Sequence, residues 1–392
     1  MFMDNFIIFL KIIFALAIIW PRGYMLIYLI DRSKSFSFGF KFFVGWLIGL
    51  AGFTLDVFSY NVFMGFKFSY LIFLWGAISQ IFGFGFMVFL FERKVPWPKF
   101  KRFKGFIQEK IVTFKNYPNF EKVSLIFLVS VILLQLFIVS SRINSYPIYT
   151  QDNGQSLNFK AKTIFFSRNI VQDPQSAFYL GGGESVKPLN DTMLRVWLSA
   201  NSGYSERNLN YISVFYYLLL LAIFYFCLPK NSSVVFKNFT TAILAFLPPL
   251  MFGVERVPSS DWLLAIFMML MLVGYYYYLV GQGNSYFYFS GIAWAFAAWT
   301  DNSGLLFLFP ALLLATTITL ALKKVSKKDY LLSWFFAILT AFTWLSFIMA
   351  KKVNIMDYDL SYFFFQFLPL IILFAAMALQ TLVKYLKKLS AI

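Results

Sequence analysis

SYPIYTQDNGQSLNFKAKTIFFSRNI, residues 145–170, and KPLNDTMLRVWLSANSGYSERN, residues 187–208, form the polar interruption around which this chain reads. They make up most of the segment Ser141–Arg207, where acids, bases and amides gather between long apolar runs. Outward from it the sequence is apolar in both directions. Of 392 residues, 60% are hydrophobic, 22% aromatic and only 13% charged. Apolar runs longer than about 18 residues cross a bilayer as helices, because lipid offers the backbone no hydrogen-bond partners. The expected fold is an all-α polytopic membrane protein that keeps its chemistry in its one large exposed loop. The first apolar run lacks the flanks of a cleaved signal peptide and reads as a retained helix.

About eleven spans are expected: Phe6–Ile30, Phe42–Met64, Tyr70–Phe91, Val123–Ser140, Asn208–Leu228, Phe239–Val254, Trp262–Val280, Tyr286–Trp299, Leu305–Leu322, Leu331–Ala350 and Tyr362–Val383. Pro21-Arg22-Gly23 interrupts the first, and Pro248-Pro249 is expected to bend the sixth. The formal charge of +17 does not point to nucleic acid, since the bases sit at the ends of apolar runs. Arg93–Lys122 is strongly basic and reads as cytoplasmic, as do KKVSKK and the tail with Lys384, Lys387 and Lys388. Alternating the spans from that tail puts Ser141–Arg207, ERVPSSD (255–261) and TDNSG (300–304) together on the outer face. Residues 1–122 read as an N-terminal transmembrane module and 123–392 as the core that carries loop 141–207.

The chain has no histidine, and its single cysteine, Cys227, lies in an apolar run. A general base must therefore be a carboxylate, and a divalent ion would need oxygen ligands. Nothing indicates a metal. Lys160 and Lys162 are two apart and so face different ways on a helix. Asp261 and Asp301 stand where helices start, positions that favour an acid for capping alone. Lys11 and Asp56 fall inside apolar runs, where ionisable groups are functional candidates, though Lys11 can reach the interface by snorkelling. Asp173, Glu184 and Asp191 are loop acids with no resolvable role, and Gly181-Gly182-Gly183 reads as a flexible tip.

Four pieces in order resemble the GT-C glycosyltransferases: QDNGQSLNFKAKTIFF, KPLNDTMLRVWLSANSGYSERNLNYIS, ERVPSSDWLLAIFMML and GIAWAFAAWTDNSGLLFLFPALLL. They cover about Ser141–Leu322, and order and spacing carry the likeness. The polyprenyl-phosphate-dependent protein O-mannosyltransferases and aminoarabinose transferases are the most similar groups. The resemblance implies a GT-C-like fold with interfacial helices in the outer loop. It also implies transfer of a sugar from a polyprenyl-phosphate carrier to a lipid or glycan acceptor, in contact with membrane lipids and with no cofactor beyond the lipid-linked donor. In that scheme Asp152 deprotonates the acceptor, Lys160, Lys162, Arg168 and Arg256 neutralise the departing phosphate, and Asp261, Asp301 and Asn302 support the pocket. Two positions depart from the pattern: Gln151 stands where relatives often carry an aromatic, and Asp301 where they often carry a lysine. A relative that binds or moves a lipid-linked sugar without turning it over is the alternative. A secondary transporter would show internal repeats with paired broken helices, and no such repeat is seen. Short loops and a composition rich in lysine, asparagine and phenylalanine point to a bacterial inner membrane, with the active face outside.

Overall fold

A computed structural model describes residues 2–31, 34–92, 118–145, 154–173, 175–182, 188–229, 231–247, 261–322 and 324–351. Among them every named element is helical: α1 (Phe2–Ala17), α2 (Trp20–Ile30), α3 (Phe38–Val62), α4 (Tyr70–Glu92), α5 (Asn119–Ser145), α6 (Gly154–Ser167), α7 (Asn190–Ser202), α8 (Glu206–Cys227), α9 (Val234–Phe246), α10 (Asp261–Leu279), α11 (Asn284–Thr300), α12 (Phe309–Ala321) and α13 (Lys327–Lys351). Eight helical stretches in the described residues are long and apolar enough to cross a membrane. The protein is an all-α polytopic membrane protein. The span Tyr362–Val383, the basic loop over 93–117, Pro248-Pro249 and the tail lysines lie outside the described residues.

Local chemistry sets the helix boundaries. Ser37, Ser205 and Ser233 each take an extended conformation and accept a hydrogen bond from a backbone N–H three residues on, at the starts of α3, α8 and α9. Pro21 sits in the first turn of α2, where its missing N–H costs nothing. The first span is therefore two helices offset at Ile18-Ile19, which together cross as Leu10–Ile30. Gly23 explains the close crossing of α2 on α3. A Cβ there would lie 2.0 Å from the carbonyl oxygen of Gly45 and 2.3 Å from the backbone nitrogen of Gly49 on α3. Small residues let two membrane helices approach backbone to backbone, where packing rather than the hydrophobic effect holds them.

α11 is the most enclosed helix, buried nearly throughout Ser285–Thr300 and packed by α10, α13 and α3. A helix apolar on all sides belongs in such a centre. Beyond the end of α11 at Thr300 and the turn over 301–303, a five-residue π-helical segment, Gly304–Leu308, leads into α12. One apolar core runs from Ala15 to Phe347 and joins the N-terminal helices to later ones: Phe58 of α3 packs against Trp299, Trp344 and Phe347.

Candidate functional site

The short helix α7 is the surprise of the polar interruption. The sequence places it in an exposed loop, yet every residue from Asn190 to Ser199 is buried. Asn190 at its start meets Thr54 of α3, and Trp197 seven residues later meets Phe53. Two positions about 10 Å apart along α7 thus touch adjacent residues of α3, so α7 crosses α3 steeply. Thr54 stands eight residues before the end of α3, or about 12 Å in from it. α7 is a wedge driven between spans. Over residues 190–199 the expected exposed loop is corrected, because most of the polar side chains there bond to other protein groups instead of water, whereas Phe159, Lys162 and residues 166–169 of the same interruption are exposed.

Two linked networks do this. Thr54 Oγ1 donates to Asn190 Oδ1 (2.6 Å), Asn190 Nδ2 donates to Thr300 Oγ1 (2.8 Å), and Trp299 Nε1 donates to Thr54 Oγ1 (3.0 Å). The second network centres on Asp191 and Arg195, one turn apart. Arg195 Nε donates to Asp191 Oδ2 at 2.8 Å, and the Tyr216 hydroxyl donates to Asp191 Oδ1 at 2.8 Å. Arg195 Nη1 donates to Asn158 Oδ1 and to the Leu209 carbonyl. That bond orients the next one: Asn158 Nδ2 must face Asn210 Oδ1, 3.1 Å away. Arg195 Nη2 and Asn210 Nδ2 are then left as buried donors without a hydrogen-bond partner among the described residues. The Nη2 of an Arg with 0% exposure and the orphan Asn210 Nδ2 make this junction of α6, α7 and α8 receptive to an acceptor oxygen.

α6 presents Leu157, Asn158, Lys160, Ala161 and Ile164 inward and Phe159, Lys162 and Phe166 outward. Lys160 is buried, 2% exposed, while the Lys162 ammonium stands over the Tyr204 ring, 5.8 Å from its centroid. Burial, then the Glu206 carboxylate, raises the Tyr204 phenol above its ordinary range, so it remains a donor to Glu206 and the Asn158 carbonyl. Arg168 is exposed with a left-handed backbone (φ 54°), and its carbonyl accepts from Phe68 N–H. Gly181 and Gly182 are buried, with φ of 92° and 84°, and a Cβ on Gly181 would lie 3.0 Å from the Lys160 Cβ. The flexible tip is therefore, over these two residues, a close-packed turn that only glycine fits.

Asp301 is buried, and its Oδ1 accepts from both the Ser303 N–H and the Ser303 hydroxyl (3.0 and 2.8 Å). It holds the turn into the π-helical segment. Asn302 is buried beside it, and its carbonyl accepts from Leu305 and Leu306. Gly304 lets this turn lie on α11, since a Cβ would come within 2.5 Å of Ala297. Asp261 opens α10. Asp152 and Arg256 lie outside the described residues, as does the side chain of Asp261. Of the eight residues singled out, Lys160 and Lys162 share α6, and Asp301 and Asn302 share the turn that follows Thr300; Arg168 lies beyond the end of α6.

Sequence reasoning left Asp191 without a role and did not select Arg195, Asn158 or Tyr216. The available signal was the four-residue spacing of Asp191 and Arg195, which places them on one helical face. Asp56 pairs with Arg22 at 2.6 Å, and Gln80 bridges both, tying α2, α3 and α4. Comparison with protein-family models, with curated proteins and with solved structures finds no match to this chain.

Proposed function

We propose that this protein is a membrane glycosyltransferase of the GT-C type, with about eleven spans. It would move a sugar from a polyprenyl-phosphate carrier to a lipid or glycan acceptor on the outer face of a bacterial inner membrane. The observation that carries the reading is the insertion of polar α7 between spans beside α6, with Lys160 and Arg195 both buried there. Fixed cations in a low-dielectric setting stabilise a developing phosphate charge far better than they would in water. In the proposed step the acceptor hydroxyl oxygen attacks the anomeric carbon as its proton passes to Asp152. The bond from that carbon to the carrier phosphate breaks, and the phosphate leaves with the electron pair. Lys160 and Arg256 are assigned to that phosphate, the exposed Lys162 and Arg168 to the lipid surface around it, and Asp261 and Asn302 to support of the pocket. No metal enters the scheme.

A second reading is favoured by Asp301. Its carboxylate is engaged by Ser303 and supplies no cation where the resembled family often has one. A relative that binds or moves the lipid-linked sugar without cleaving it would tolerate this. Purified protein given a labelled polyprenyl-phosphate sugar and a lipid acceptor separates the two readings. Transfer is expected from the parent, falling at least about 100-fold in Asp152→Asn, the size of a general-base contribution. Binding without turnover in the parent, left intact by Asp152→Asn, would establish the second reading instead.

A further inference from the structure

A groove of about 500 Å³ opens beside α1 and is lined by Ile7, Leu10, Lys11, Phe14, Tyr70 and Asn201, among others. Its depth in the membrane follows from chain geometry. Leu10–Ile30, 21 residues in two helices offset at Ile18-Ile19, is long and apolar enough to cross the hydrocarbon. Lys11 therefore stands near the N-terminal edge of that stretch, within snorkelling reach of the headgroups. Tyr70 opens α4, just beyond the turn that ends α3, and reaches the same level, because α3 returns the chain to the edge where α1 began. The exposed Phe63, Met64 and Phe66 of that turn suit a segment resting in the boundary region. Trp197 pins the three walls together: its indole N–H donates to the Ala15 carbonyl, and its ring stacks on Tyr70 at 6.0 Å.

The lining divides by chemistry. Lys11, Asn201 and Tyr70 supply a cation, an amide and a phenol. Ile7, Leu10 and Phe14 are 46–51% exposed and form an apolar wall along the same helix face. No carboxylate lines the groove, and Lys11 has no ion-pair partner among the described residues. An ammonium beside an open apolar slot, within reach of the headgroups, complements one kind of molecule: an anionic phospholipid, its phosphodiester on the cation and its acyl chain against the wall. We infer that this groove is a binding site for an anionic glycerophospholipid, held through Lys11. The inference does not rest on the proposed glycosyl transfer.

The test uses the full chain, reconstituted in phosphatidylcholine with a minor share of phosphatidylglycerol, then released gently and weighed intact with its retained lipids. Phosphatidylglycerol should be retained in preference to phosphatidylcholine. Lys11→Gln should lower that retention about five-fold, the size expected from one interfacial lysine, while Lys11→Arg keeps it. Lys327→Gln, which removes an exposed cation on α13, should leave it unchanged. Equal retention of the two lipids by the parent, unchanged retention in Lys11→Gln, or an equal loss in Lys327→Gln would each overturn the inference.

Discussion

Asp191 and Arg195 pair at 1% and 0% exposure. Such a pair survives because each ion's lost hydration is replaced by fixed partners: Tyr216 on the carboxylate, Asn158 and the Leu209 carbonyl on the guanidinium. Removing one charge strands the other. Asp191→Asn should cost about 3–5 kcal/mol, read as a lowered unfolding midpoint in detergent. Asp191→Asn combined with Arg195→Met should recover much of that loss, since no buried charge is left unpaired. A double variant as unstable as the single would show that the two residues do not act as an electrostatic unit. This pair was half legible in the sequence. The spacing was visible, but the surrounding polar residues made the stretch look solvated.

At the scale of elements, the crossing of α2 on α3 is governed by what Gly23 lacks. Both sides of the contact are backbone, so neither can rotate away from an added methyl. Gly23→Ala should cost about 3 kcal/mol, the upper end of ordinary overpacking, and the unfolding midpoint in detergent measures it. Gly65→Ala provides the comparison for an open site: a Cβ there meets nothing within 4 Å, and only its φ of 71° opposes the change. A loss in Gly23→Ala no larger than that in Gly65→Ala would show that the helix approach does not resist an added methyl. Helix α7 shows the limit of pattern reading at this scale. A 13-residue helix with polar residues on several faces has the composition of a surface element. It is buried because its hydrogen-bond partners, Thr54, Asn158, the Leu209 carbonyl, Tyr216 and Thr300, are brought in from four other helices.

For the molecule as a whole, the sequence divides naturally at the basic loop, but the packing does not stop there. Thr54 and Phe58 of α3 reach α7 and α11, and the Ala15 carbonyl accepts from Trp197. Removing residues 1–122 would leave Asn190 without its Thr54 donor and uncover the rings of Trp197 and Trp299. A buried polar group that loses its partner costs about 1–3 kcal/mol, with lost apolar packing in addition. The truncated chain should fail to give a monodisperse peak on size-exclusion chromatography, and co-expressed residues 1–122 should restore it. A stable, monodisperse 123–392 fragment would show instead that the later helices form a self-sufficient body.

The sequence by itself determined that the chain is helical and lives in lipid, because run length and apolarity are properties of contiguous residues and the bilayer admits few alternatives. It also determined the opposed directions of Lys160 and Lys162, which follow from their spacing on a helix; the helix starts at Ser37, Ser205 and Ser233 lie three to six residues before the expected spans and came from the structure. Only the tertiary structure decided that α7 is enclosed, that Asp191 meets Arg195 in a dry setting, and that Gly181 and Gly182 close on Lys160. Those outcomes depend on partners up to 245 positions apart, as with Trp299 and Thr54. No local pattern encodes which distant hydroxyl or amide will replace water around a buried charge.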